Sequence, residues 1–213
     1  IQKSKNSNEL IIISTHTAPE TKTTNKAVTR HLVNHLKASN SVSPEESMQH
    51  ITFGDFSNET RFSYLLDLTR NNKLSTLTFR EIVDIGISPD EQRTLPSDLG
   101  WMKERIRNLD LRGISLEESE FLTNTSYRPG LFLHRLDARF LFSTSGLDGE
   151  CIISLAFPEF SQSQNIQSEL ELKIKSIAFE NIGRGMDRND AKETILRELE
   201  FEKFEALKGI KKT

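Results

Sequence analysis

Two stretches dense in apolar, β-branched and aromatic residues face each other across a turn segment. They span residues 131–142 and 151–157, with Gly-Leu-Asp-Gly at positions 146–149 between them. Residues of these types favour strands, and Asp148-Gly149 supplies the positive φ that a tight reversal requires. The pattern predicts a β-hairpin over about residues 131–157.

One face of the first predicted strand changes character along its length. Leu131 and Leu133 alternate with other residues at its start, and Arg135, Asp137 and Arg139 continue the same alternation. Successive side chains of a strand point to opposite faces. This face is therefore predicted to turn from apolar to charged.

Most other apolar residues recur at the three- and four-residue spacing of an amphipathic helix. That spacing predicts helices over residues 24–38, 58–70, 97–109, 166–182 and 187–208. Capping signals predict further helix starts at Ser43, Thr78 and Ser88. Apart from the hairpin, the β-branched run at residues 9–14 predicts one short buried strand.

Together these elements predict an α+β fold that is mostly helical, with the β-hairpin and a C-terminal antiparallel helix pair. The pair is expected because only a short connection at Gly183 separates the last two predicted helices. A helix-rich N-terminal part with one short strand would cover residues 1–108, and a second part residues 109–213. A chain of 213 residues also suits a single domain.

The charge composition argues against a nucleic-acid partner. The chain has 28 basic and 31 acidic residues, and like charges do not form a block of five or more. Non-specific binding to a phosphate backbone needs clustered Lys and Arg. We therefore expect no nucleic acid among the partners.

Three further features bear on the compartment. The single cysteine, Cys151, excludes an intrachain disulfide and indicates a reducing cytoplasm. The apolar runs are much shorter than the ~20 residues of a membrane span, so no span is predicted. Because the chain begins at Ile1 rather than Met, we allow for a leader or other upstream residues.

Residues 109–123 form three five-residue units. Apolar side chains recur at the third position of each unit: Leu111, Leu116 and Phe121. A period of five fits a coil whose units stack on one another. The pattern resembles the pentapeptide-repeat family, which forms four-sided β-helices and occurs in some type III secreted bacterial effectors. The resemblance implies a secreted virulence protein acting in a host cytoplasm. The same residues also fit a helix end, a turn at Gly113 and a short helix from Ser115.

Cys151 and His134 are the only candidates for a catalytic nucleophile and its base. Both fall on the predicted strands, which could bring them close. A reactive thiol is usually partly exposed with a lowered pKa, whereas Cys151 begins the apolar run Ile-Ile-Ser-Leu. We expect no catalytic residue and a protein that is not an enzyme, and a cysteine-dependent enzyme is the alternative.

His31 and His35 are the only candidate metal ligands, because they lie four residues apart on one predicted helix. Neither Glu, Asp nor Cys completes a known metal motif around them. The sequence therefore predicts neither a metal nor another cofactor.

Three aromatic residues lie off the apolar stripes of their predicted helices: Trp101, Phe201 and Phe204. Such residues either pack against another element or anchor a partner. We take them as candidate partner-binding residues of a non-enzymatic protein–protein interaction domain. A structural or assembly protein that associates through the C-terminal helix pair is a further alternative.

Overall fold

A computed structural model of the chain describes residues 2–3, 10–12, 19–144, 146–180 and 188–210. The chain divides into two compact units, residues 1–50 and 51–213. The first unit contains two paired strands, β1 (Gln2–Lys3) and β2 (Leu10–Ile11), and helix α1 (Pro19–Ala38). Of the strand predicted over residues 9–14, positions 9, 13 and 14 lie outside the described residues.

The second unit is organised by a five-stranded antiparallel sheet. Its strands are β3 (Leu77–Pro89), β4 (Leu109–Arg112), β5 (Leu131–Thr144), β6 (Leu147–Ala156) and β7 (Glu171–Phe179). Their order across the sheet is β4-β3-β5-β6-β7. The longest strand, β5, therefore lies at the centre.

The α-helices described in this unit are α2 (Asn58–Arg70), α3 (Gly100–Arg105), α4 (Glu120–Thr123), α5 (Pro158–Ser163) and α6 (Arg188–Ile210). Among them, α2, α5 and α6 pack on β5, and α2 also packs against α6.

The prediction of a helix over residues 58–70 is confirmed, and Ser57 caps it by accepting a hydrogen bond from the backbone N–H of Thr60.

The two faces of β5 differ sharply. Leu136, Ala138 and Phe140 are fully buried in the core beneath the helices. Arg135 and Arg139 alternate with them, so their side chains lie on the opposite face. The predicted change of a single face from apolar to charged is wrong, because one extra residue at His134 places Leu133 on the core face with Leu136 and leaves Arg135 on the opposite face.

The prediction of a mostly helical fold is wrong, because strands rather than helices organise residues 77–179. The predicted hairpin strands do pair, but as the middle of a five-stranded sheet and not as a simple hairpin. The glycine with positive φ is Gly146, at 72°, whereas Gly149 lies within β6.

The predicted C-terminal helix pair is also wrong, because residues 171–179 form β7 and not a helix. A bulge explains the error. Ile153 pairs with Ile174, but Ile152 pairs with Ser176, so β7 has one extra residue at Lys175. Ile174 and Ile177 consequently lie three positions apart, as on a helix, although both pack against the core. The helix pair suggested as an oligomerisation surface is therefore not formed by residues 171–179 and α6.

Helix starts predicted at Thr78 and Ser88 are also wrong, because both residues lie in the strand β3. The pairing of β3 with β5 shifts register twice between residues 79 and 84. These shifts separate the apolar residues Phe79, Ile82 and Ile85 by three positions each.

Two other helix predictions need correction. No helix begins at Ser43, where the chain forms bends and a turn. The helix predicted over residues 97–109 is a 3-10 turn (Ser97–Leu99) followed by α3, which ends because Ile106 adopts an extended conformation leading into β4.

Residues 109–123, which resemble pentapeptide repeats, consist of β4, a 3-10 turn (Leu116–Glu118) and α4. The resemblance stays a prediction.

Among the helices in the described ranges, none is both long enough and apolar enough to cross a bilayer.

Candidate binding site on the charged face of the sheet

Ionisable side chains from all five strands meet on the face of the sheet opposite the helices, which we call the charged face. They are Asp110 and Arg112 of β4, Glu81 and Asp84 of β3, Arg135, Asp137 and Arg139 of β5, Glu150 of β6 and Lys175 of β7. Both signs of charge alternate across the sheet.

Arg135 is the hub of one half of this network. Its Nη2 donates to Asp84 Oδ1 at 2.6 Å and to Asp110 Oδ1 at 2.9 Å. The second oxygen of Asp84 accepts from Nε of Arg112 at 3.1 Å. Burial alone would lower the pKa of Arg135, but the hydrogen bond and charge of Asp84 raise it.

Asp137 and Arg139 organise the other half. The carboxylate of Asp137 is 1 % exposed and accepts from Nζ of Lys175 at 2.7 Å. Arg139 forms ion pairs with Glu81, at 2.9 Å, and with Glu150. Asp84 and Asp137 are direct strand partners, so two buried carboxylates lie side by side with cations on either side.

The charged face also holds most of the buried polar atoms whose hydrogen bonding is incomplete. In the part of the chain that the structure describes, six such side-chain atoms have no hydrogen-bond partner, and four belong to residues 134–139. These four are His134 Nε2, Arg135 Nε, Asp137 Oδ1 and Arg139 Nε, although Arg139 Nε does lie 2.9 Å from a carboxylate oxygen of Glu81 in an ion pair. Arg135 Nε and Asp137 Oδ1 lie 4.0 Å apart, too far for a hydrogen bond. Since buried polar groups are nearly always paired, this clustering marks the segment as a candidate site.

A β-bulge positions His134 in this cluster. Gly86 pairs with Arg135 and Ile87 pairs with Leu133, so His134 is the extra residue of β5. A bulge re-aims side chains, and here it brings the imidazole beside the backbone of Gly86. His134 is only 3 % exposed, and its pKa is lowered to about 4 by burial and then by the charge of Arg135. The imidazole is therefore neutral at pH 7.

A cavity of about 250 Å³ opens at this end of the charged face. Its lining includes polar groups from three elements and one loop: Asn108, Asp110, His134, Arg135 and Ser161. Asn108 is held in place because its amide donates to the Ser161 carbonyl at 3.0 Å and accepts from the Ser88 hydroxyl at 2.7 Å. The cavity is small and is lined by both polar and apolar residues.

The structure does not bring Cys151 and His134 together. Cys151 lies opposite Phe140, and His134 is six residues further along β5, roughly 20 Å away at the rise of a strand. The thiol is 1 % exposed, and burial, followed by the charge of Glu150, raises its pKa to about 12. The two residues cannot act as a nucleophile and its base in this fold.

The candidate metal ligands His31 and His35 are both exposed on α1. Throughout the described ranges, the structure contains no group of three or more His, Cys, Asp or Glu side chains placed to hold a metal ion.

The three candidate partner-binding aromatic residues differ in their surroundings. Trp101 is 49 % exposed on α3. Phe201 is half-buried on α6, and Phe204 packs against the core. The structure shows one more exposed apolar residue, Ile114, which the sequence did not single out. Its exposed fraction is 79 %. Ile114 lies at the rim of the charged face, since the N–H of the next residue, Ser115, donates to Glu81 at 3.0 Å.

Two further residues escaped the sequence analysis. Glu117 accepts a 2.7 Å hydrogen bond from the Ile82 backbone N–H and so completes the outer edge of β3 where β4 ends. Gly86 gives the His134 imidazole its space. The alternation of Arg135, Asp137 and Arg139 was visible in the sequence, but most of their partners are 25 or more residues away in the chain.

Comparison of the chain with protein-family models, with curated proteins and with solved structures gives no match.

Proposed function

We propose that the chain is a non-enzymatic protein-interaction domain whose partner contacts the charged face at its β4 side. The observation that carries this proposal is the exposure of Trp101 and Ile114, which lie on the two segments flanking β4. Large apolar side chains are usually buried, and Trp is among the residue types enriched at interface hot spots.

The charges around these apolar residues are suited to selecting a partner. The side chains of Arg112 and Asp110 are 82 % and 61 % exposed, whereas Asp84 beneath them is 4 % exposed. Exposed charges of both signs raise the association rate of a complementary partner and disfavour others. The buried members of the network hold the exposed ones in fixed positions.

We expect the contact to use side chains and not strand addition at β7 or at the part of the β3 edge that β4 leaves unpaired. Of the two outer strands, β7 has Lys173, Lys175 and a bulge, which are devices that prevent pairing at a sheet edge. The edge of β3 beyond β4 is closed by the Gly113 N–H, which donates to the Val83 carbonyl, and by Glu117. A partner strand would have to displace these groups.

The setting of a secreted bacterial effector in a host cytoplasm rests on the resemblance of residues 109–123 to pentapeptide repeats. It stays a prediction beside the interaction function.

The proposal is tested by capture experiments with Trp101→Ala and Ile114→Ala. The matched control is Ile166→Ala, because Ile166 is 57 % exposed and lies in a different loop. We expect a partner that the unaltered chain retains to be lost from the first two variants and kept by the control. Loss of a hot-spot side chain should weaken binding by about 2 kcal/mol, roughly thirtyfold.

Circular dichroism and thermal unfolding of each variant show whether the fold persists. Equal retention by all three variants, or equal loss from all three, would contradict the proposed contact surface.

A further inference from the structure

We propose that the cavity beside His134 binds a small uncharged molecule that carries hydroxyl groups. This inference does not depend on the protein-interaction function, because it concerns a different class of ligand, and the two proposals share only Asp110 of β4.

Two buried polar atoms of cavity-lining residues lack a hydrogen-bond partner within the described protein. They are Nε2 of His134, a residue that is 3 % exposed, and Nε of Arg135. Leaving such groups unpaired costs about 1–3 kcal/mol each. A ligand that reaches both atoms would recover that free energy.

The charges around the cavity disfavour a charged ligand. The Arg135 guanidinium already donates to Asp84 and Asp110, and the buried imidazole is neutral at pH 7. An anion would approach these two carboxylates, and a cation would approach Arg135. An uncharged ligand avoids both penalties.

The residues that line the cavity offer both hydrogen-bond donors and acceptors. The Arg135 Nε–H can only donate, whereas the Asp110 carboxylate can only accept. The Ser161 hydroxyl donates to the Pro158 carbonyl at 2.9 Å, which leaves its oxygen able to accept. A hydroxyl group donates and accepts through one atom, so a compound with several hydroxyls can satisfy all of these groups. The volume of about 250 Å³ suits a molecule between glycerol and a monosaccharide in size.

The backbone of β5 directs His134 toward the cavity. In a regular strand, His134 and Arg135 would point to opposite faces, but the bulge opposite Gly86 lets both line one cavity. Bulges that re-aim side chains are common beside functional sites.

The test is an NMR titration of the full chain with labelled histidine side chains, using glycerol and glucose as probes. Acetate, phosphate and tetramethylammonium serve as charged comparison compounds. His134→Gln assigns the His134 signals by removing them. We expect saturable shifts of the His134 imidazole signals with a hydroxyl compound and not with the charged compounds.

Ala156→Leu is the blocking variant, because Ala156 lines the cavity without donating or accepting through its side chain. Ala178→Leu is its control, since Ala178 lies on the same face of the sheet in β7 but outside the cavity. Binding should be lost in the first variant and unchanged in the second. If Ala156→Leu does not fold, Ser161→Ala takes its place, and losing one hydrogen bond should weaken binding roughly fivefold.

Two results would overturn the proposal. One is a saturable response to acetate, phosphate or tetramethylammonium in place of the hydroxyl compounds. The other is no saturable shift with either hydroxyl probe, which would leave the cavity as a site for water only.

Discussion

A Cβ atom at Gly86 would lie 2.6 Å from Cε1 of His134, so the imidazole occupies the space that any other residue at position 86 would need. The glycine on β3 and the bulged histidine on β5 are thus a matched pair. The pair explains how a neutral imidazole comes to line a cavity next to a salt-bridge network.

Gly86→Ala is expected to lower the free energy of unfolding by about 1–3 kcal/mol, because the added methyl group forces the imidazole or the strand to move. Urea unfolding measures the change. Gly209→Ala is the control, since nothing lies within 4 Å of that Cβ position in α6. The control should be neutral or stabilising by up to about 1 kcal/mol. Equal effects at the two glycines would contradict the steric account.

The burial of His134 predicts a specific loss of stability in acid. Its pKa is about 4 when folded and near its usual 6.5 when unfolded, so between these values the unfolded chain binds the extra proton. The free energy of unfolding should therefore fall as pH decreases from 6.5 to 4, by up to about 3 kcal/mol from this group.

Urea unfolding at a series of pH values measures this fall. His134→Gln should show a shallower decrease over the same range, because it cannot take up the proton. Parallel curves for the two proteins would show that His134 is not held in its neutral form.

The charged face predicts unequal effects for two aspartates that flank Arg135. Asp137 is 1 % exposed and accepts from Lys175, whereas the Asp110 side chain is 61 % exposed. Asp137→Asn should destabilise by about 2 kcal/mol because a buried amide replaces the buried carboxylate that accepts from Lys175. Asp110→Asn should cost less than about 1 kcal/mol, as exposed ion pairs do. Thermal or urea unfolding compares them, and a larger loss at Asp110 would count against the proposed layering of the network.

The position of Cys151 predicts an unreactive thiol. With burial raising its pKa to about 12, almost none is ionised at pH 8. Alkylation by iodoacetamide, followed by mass spectrometry, should be slow in native buffer and fast in urea. Rapid labelling of the native protein at neutral pH would revive the cysteine-dependent enzyme as an explanation.

The sequence predicted local features well where the hydrophobic period was undisturbed. Helix α2 and the pairing of β5 with β6 follow from such stretches. Two of the misassigned segments, β3 and β7, are strands with bulges, which place core residues such as Ile82 and Ile85 three positions apart. A three-residue interval in a short apolar stretch does not distinguish a helix turn from a bulged strand.

The candidate site was harder to predict because its geometry depends on contacts that are distant in the sequence. The seat of His134 is set by Gly86, and the cation nearest to Asp137 is Lys175, 38 residues away. The sequence identified His134 and Trp101 as residues of interest, but it paired the histidine with a thiol that lies elsewhere in the sheet.

The most direct test of the interaction function is photo-crosslinking from single positions. A photoreactive amino acid replaces Ile114 in one protein and Ile166 in another, since both side chains are exposed but only Ile114 borders the charged face. The account predicts a discrete adduct with one partner from position 114, which Trp101→Ala abolishes, and none from position 166. An adduct from position 166 alone, or the same adducts from both positions, would contradict it.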